Sequence, residues 1–218
     1  MCDGMMDYYN SPTWNDRWIV ETVTNGQIGG FYIEAGVGGG IIGSTTYILE
    51  KEFGWKGILI EPHSFLKKRL MVTRPTAMVI DECVGDHEGV IDFIEFTTKG
   101  LRGFSGSPQL SAEGSHAWWS LPERQQTEYI KESKKVTTLE SILRKSNAPK
   151  IIDYLSMDIE GAEYAALKNF PFEEFKFKAI STEQDTCREL LINNGYTETQ
   201  NPFCETDNEY YFLNLELK

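Results

Sequence analysis

The sequence predicts a doubly wound α/β domain with a mostly parallel sheet. From residue 29 onward, short apolar runs alternate with helical patterns, the connections are short, and glycines cluster directly after the first run. Residues 31–35 (Phe-Tyr-Ile-Glu-Ala) are a strand, followed by the glycines and a helix over 45–53. A second strand covers 57–61, and Pro62 opens a helix reaching residue 72. Residues 77–80 form a third strand; a turn at 85–87 and an extended run over 90–96 follow. After residue 135 the alternation returns with a helix at 139–145, a strand at 151–158, a helix at 162–169 and a strand at 177–182. A helix over 187–194 stops at Gly195. The tail, 196–200 and 210–215, reads as two strands that add an antiparallel edge.

Two segments stand outside this rhythm. Residues 1–28 lack a period and carry Tyr8, Tyr9, Trp14 and Trp18, so they are expected to form an aromatic-bearing arm packed on the 29–218 domain. Residues 97–135 hold glycines, serines and the Trp118-Trp119 pair, with a weak helical signal near 123–131. They read as an insertion that meets the substrate.

The 218 residues, 24.9 kDa, suit one domain with a sizeable core. A formal charge of −12 argues against nonspecific nucleic-acid binding and against an anionic membrane surface, since both call for a basic face. No apolar run approaches the ~18 residues of a membrane span, and no secretory signal is expected. Cys2, Cys83, Cys187 and Cys204 form no CxxC pair, the pattern of reduced thiols in a cytoplasmic protein.

In such sheets ligands bind beyond the carboxyl ends of the strands. Acids recur there: Glu34, Glu61, Asp81 with Glu82, Asp158 with Glu160, and Glu183. Any one of them can be a helix cap; the repetition favours a functional rim. Between the first strand and helix lies Glu34-Ala-Gly36-Val-Gly38-Gly-Gly40. Counted from Gly38 it matches a dinucleotide fingerprint ending at Gly43; counted from Glu34 it is an acidic, glycine-rich S-adenosylmethionine loop. A dinucleotide loop places its first glycine directly after the strand. Here that is Gly36, and Ile41 then falls where the third glycine belongs. An acid before the glycines would repel a pyrophosphate but suits an ammonium or a sulfonium. The registration therefore favours S-adenosylmethionine, with Glu61 for the ribose diol.

The chain resembles the FkbM family of S-adenosylmethionine-dependent methyltransferases. The resemblance is carried by Gly30-Phe-Tyr-Ile-Glu-Ala-Gly36, Gly54-Trp-Lys-Gly-Ile-Leu-Ile-Glu-Pro62, Asp153-Tyr-Leu-Ser-Met-Asp-Ile-Glu-Gly-Ala-Glu163, Ala179-Ile-Ser-Thr-Glu183 and Gly195-Tyr196. The first loop departs from the family pattern, with Glu34 as its acid and Val37-Gly-Gly in place of Ala-Asn-Asp. The resemblance implies a Rossmann-like class I methyltransferase sheet and O-methylation of a sugar or sugar-bearing product. Alternatives are another small-molecule methyltransferase or a module that binds the cofactor without catalysis.

The expected cofactor residues are Glu34, Gly36, Gly38, Gly40, Ser44, Glu61, Pro62, His63, Asp81, Glu82 and Cys83, the last three framing the adenine. For catalysis, Asp158, Glu160, Glu183 and His116 are candidate bases, because a hydroxyl is a poor nucleophile until its proton leaves. Glu160 equally reads as a cap of the next helix, with Glu163 completing a box. Asp158, Glu160 and Glu183 are also candidate ligands of a Mg²⁺ or Ca²⁺ ion. Phe104, Ser105, Trp118 and Trp119 are expected to meet a glycan or small-molecule acceptor through aromatic faces and polar edges.

Overall fold

The computed structural model describes residues 9–96, 105–111, 129–204 and 209–217. A seven-stranded sheet has the order β10-β11-β9-β8-β1-β2-β3. Its strands are β1 (Phe31–Ala35), β2 (Lys56–Ile60), β3 (Met78–Ile80), β8 (Ile151–Met157), β9 (Lys176–Thr182), β10 (Thr197–Thr199) and β11 (Tyr210–Leu213). The pairs from β3 through β9 are parallel, whereas β11 runs antiparallel to β9 and β10 antiparallel to β11. The doubly wound architecture and its antiparallel C-terminal edge are as the sequence predicts.

Side chains alternate between two buried layers. Ile33, Ala35, Ile58, Ile60, Leu155 and Met157 face one core; Tyr32, Leu59 and Tyr154 face the other. Both sheet faces are covered, which is why these strands are continuous apolar runs rather than alternating ones. The helices α2 (Tyr47–Phe53), α3 (Ser64–Thr73), α4 (Leu139–Lys145), α5 (Glu163–Leu167) and α6 (Arg188–Asn193) fall where helical patterns were read. Thr138 caps α4, its hydroxyl accepting from the Ser141 N–H at 3.1 Å.

The N-terminal segment packs on the sheet through α1 (Asn15–Arg17) and a π-helical turn, Trp18–Val23. Trp18 is fully buried, edge-on to Tyr211 and Tyr154 with ring centroids 4.8 and 6.4 Å away. Asn15 links this segment to the far end of the chain, accepting from the Tyr211 hydroxyl at 2.7 Å.

One segment differs from the sequence expectation. Residues 129–131, given a weak helical signal, begin the ten-residue strand β7 (Tyr129–Thr138). It pairs along the whole of β5 (Gly89–Phe96) in antiparallel fashion. With β4 (Cys83–Gly85) and β6 (Ser105–Gly106) these strands build a second sheet of order β4-β7-β5-β6. The cross-strand ladder overrides a local helical preference that charged residues such as Lys131 and Glu132 supply. Among the described residues, no helix is long and apolar enough to cross a membrane.

Candidate functional site

The strand order reverses between β1 and β8, because β1 has β2 on one side and β8 on the other. Such a switch point opens a crevice at the carboxyl ends of the strands. Single backbone bonds extend each ladder one residue into the crevice. Gly36 donates to the Ile60 carbonyl at 3.0 Å, Glu61 to Ile80 at 2.9 Å, Asp158 to Ala35 at 3.0 Å and Glu183 to Met157 at 3.2 Å. Three carboxylates and the first glycine are thus held at one rim by main-chain hydrogen bonding.

At that rim lies a pocket that opens to solvent, lined from both sheets. Gly36, Gly38, Glu61 and Pro62 form one wall, and Asp158, Ile159, Glu160 and Ala162 form the floor. The second sheet supplies the opposite wall through Cys83, Val84, Phe93 and Ser105, with Ser107 and Leu110 beyond. Of the predicted residues, Gly36, Gly38, Glu61, Pro62, Cys83, Ser105, Asp158 and Glu160 therefore share one cavity.

Gly36 adopts φ +86°, and a Cβ there would stand 1.7 Å from the Asp158 carbonyl oxygen. Only glycine fits. The next conformationally special position, Gly38 at φ +53°, faces open space and donates its N–H to Glu61 Oε2 at 2.7 Å. The other Glu61 oxygen accepts from the His63 N–H at 3.1 Å and lies 2.6 Å from His63 Nδ1. Three donors fix this carboxylate, and each of its oxygens keeps lone-pair capacity for a further donor.

The remaining predicted residues lie behind or beside the pocket. Glu34 does not line it. Its carboxylate turns back to accept from the Ser44 hydroxyl at 2.8 Å, the Thr45 N–H at 2.9 Å and the Thr46 hydroxyl. Buried Arg74 lies 3.7 Å from it, and binds the Gly40 carbonyl, Ser44, Thr46, Tyr32 and Glu50. Glu34, Gly40 and Ser44 therefore set the shape of the glycine loop from below. His63 packs edge-on to Phe93, its Nε2 buried 3.6 Å from Glu95. Asp81 is paired with Lys67 at 2.9 Å near the surface, and Glu82 is partly buried outside the pocket wall. Phe104, His116, Trp118 and Trp119 lie outside the described residues.

The sequence reading missed Phe93, Val84, Leu110 and Ser107 in the wall, and Arg74 beneath the loop. Phe93 carried a partial signal, since it and Ile91 flank Asp92 in β5 and both are buried. Arg74 carried none; its position follows from how α3 docks.

The floor is acidic. Asp158 is open toward the pocket but enclosed by protein on its other sides; lost hydration, with the Glu183 carboxyl close beside it, raises its pKa. Burial likewise raises Glu183. Burial and neighbouring Asp158 push Glu160 up to about 10, and burial pushes Glu163 up to about 7 and Glu209 up to about 8. One oxygen each of Glu160, Glu163 and Glu183 is buried without a hydrogen-bond partner. Among the described residues, no three His, Cys, Asp or Glu side chains are grouped so as to hold a metal ion. Glu160, one of the three acids the sequence suggested for a cation, stands on a left-handed turn at φ +57°.

The model of the FkbM methyltransferase domain matches residues 31–191. The chain belongs to the FkbM methyltransferase family. Solved structures similar to this FkbM methyltransferase include a TehB-like SAM-dependent methyltransferase from Corynebacterium glutamicum, at 12% identity over 96% of this chain and 91% of that one, with a TM-score of 0.46. A methyltransferase from Pyrococcus furiosus, 12% identical, covers 98% and 91% at TM-score 0.40. A precorrin-6y C5,15-methyltransferase from Geobacter metallireducens, 11% identical, covers 95% and 92% at 0.39. No curated protein gives a significant match. The assignment rests on the family match.

The family implies S-adenosylmethionine, and the pocket fits it. The Gly36–Gly38 wall carries no side chain, Glu61 offers two acceptor oxygens, Val84 and Phe93 give an apolar face, and the acidic floor suits a cationic ligand.

Two outcomes follow for the FkbM methyltransferase. Gly36→Ala should abolish cofactor binding, whereas Gly38→Ala, with open space and only the positive φ to pay for, should weaken it by no more than about tenfold. Titration calorimetry on both variants checks this; equal losses would contradict it. The second outcome concerns pH. A carboxyl with a raised folded-state pKa stays neutral in the native chain while the unfolded chain ionises, so stability falls as pH rises from the ordinary carboxylate range to the raised value. Glu163 covers the window up to about 7, Glu209 extends it to about 8 and Glu160 to about 10. The Tm of the cofactor-free enzyme should drop between about pH 5 and about pH 9, and Glu160→Gln should flatten the alkaline part. A Tm that holds or rises over that range would overturn the sign.

Proposed function

We propose that this methyltransferase moves a methyl group from S-adenosylmethionine to a hydroxyl of a sugar or glycan. The observation that carries this reading is Asp158 on the pocket floor beside Glu160, with the Glu183 carboxyl close by. Crowding two carboxyls favours the state in which they share one proton, leaving one basic oxygen. That is the group an O-methyl transfer calls for, since an alcohol must give up its proton as its oxygen attacks.

When bound, S-adenosylmethionine supplies an electrophilic methyl group on a sulfonium. Glu61 holds the ribose diol, and the side-chain-free wall at Gly36 and Gly38 lets the cofactor lie close to the backbone. Val84, Phe93 and Leu110 enclose the adenine and exclude water. Asp158 and Glu160 on the floor would meet the cofactor's positive end, where a cation relieves the cost of ionising them. Asp158 takes the acceptor's proton while Ser105 and Ser107 hydrogen-bond neighbouring hydroxyls.

The excess of acids at the rim and the overall charge of −12 favour a neutral, hydroxyl-rich acceptor over a polyanion such as nucleic acid. Asp158→Asn should cut methyl transfer by ~10²–10⁴-fold and leave cofactor affinity within a few-fold of the parent. Transfer of labelled methyl to sugar acceptors, read beside calorimetric cofactor binding, checks both parts; undiminished turnover removes Asp158 from the chemistry.

A further inference from the structure

His63 ends the turn between β2 and α3 and occupies the N-cap of that helix. A polar side chain at an N-cap ordinarily turns to the free N–H groups of its own helix. This one makes no capping bond and turns back to Glu61 instead, its Nδ1 2.6 Å from Oε1. A carboxylate can only accept, so Nδ1 carries the proton of this contact. The ring is buried, edge-on to Phe65 of α3 at 5.3 Å and to Phe93 of β5 at 5.2 Å. Its plane is therefore set from two sides, by the first turn of α3 and by the second sheet. Nε2 is buried with no hydrogen-bond partner among the described residues and stands 3.6 Å from Glu95 Oε2. His63 does not itself line the pocket, whereas Glu61 and Phe93 on either side of it do.

We propose that His63 is a positioning residue for cofactor binding: its imidazole holds the Glu61 carboxylate ready for the ribose diol without touching the cofactor. The inference rests on the reading that Glu61 binds that diol. A free glutamate side chain samples several rotamers and loses that freedom when a ligand fixes it. A carboxylate already held in place avoids this loss at the moment of binding. The two main-chain donors, the Gly38 and His63 N–H groups at 2.7 and 3.1 Å, take one oxygen each. The imidazole adds the shortest bond of the three and is the only side-chain donor among them. Because Phe93 helps to orient the ring, the acid at the end of β2 is also coupled to the second sheet, which builds the facing wall.

Calorimetric titration with S-adenosylhomocysteine tests this as a double-mutant cycle on the full chain. His63→Leu should weaken binding about tenfold in the parent and have no further effect in Glu61→Ala, because it acts through that carboxylate. His63→Asn, whose side-chain amide places an N–H near the position of Nδ1, should recover most of the loss. His63→Phe keeps an aromatic ring against Phe65 and Phe93 but has no donor; it should match His63→Leu, and it replaces that variant should His63→Leu not fold. A loss of equal size with and without Glu61 would mean that His63 serves packing or meets the cofactor directly, and it overturns the proposal. Parental affinity in the variants without a donor, or no recovery in His63→Asn, overturns it too. All three of these results leave the Glu61 reading standing. Undiminished affinity in Glu61→Ala overturns that reading, and the positioning role with it.

Discussion

Where β1 and β8 run out side by side, the Gly36 Cα passes so close to the Asp158 carbonyl that no side chain can stand between them. Everything in the site is arranged around this approach. The Asp158 N–H is bonded to Ala35 on the strand that ends at Gly36, so the glycine loop and the acidic floor are two halves of one main-chain junction. Glu61 enters from the neighbouring β2 and is tied back to the loop through the Gly38 N–H. Loop, Glu61 and Asp158 are thereby positioned by backbone hydrogen bonding, which holds geometry more tightly than flexible side chains can.

A second constraint works beneath the loop. Arg74 is 1% exposed and binds two carboxylates and four neutral oxygens. A guanidinium so placed is stable only because each donor finds an acceptor; stranding Glu50 and Glu34 without it would cost ~3–5 kcal/mol. The same network accounts for Glu34 lying behind the pocket wall rather than in it. Glu34 directs its oxygens to the residues that lead into α2.

The parallel sheet was legible because strands buried on both faces are short apolar runs, as at 57–61 and 151–158, and because chain order and short connections restrict the topology. The pocket was legible at its glycines and at Glu61, Asp158 and Glu160, since residues at strand ends fall at one rim whatever the details of packing. Other parts were not. β7 is written largely in polar and charged residues, and its pairing with β5 bridges a long stretch of chain, so no local pattern announces it. Phe93, Val84 and Leu110 meet the other wall only once that second sheet folds over. The carboxylates at 158 and 183 were visible singly; their contact depends on the β8–β9 register.

The central claim is that the crevice at β1, β2 and β8 holds S-adenosylmethionine through Glu61. Calorimetric titration of the parent protein and of Glu61→Ala with S-adenosylmethionine and with NAD tests it most directly. Saturable binding of S-adenosylmethionine by the parent, weakened at least about tenfold in the variant, with no heat from NAD, is the result this account predicts. Undiminished affinity in Glu61→Ala, or saturable binding of NAD alone, would contradict it.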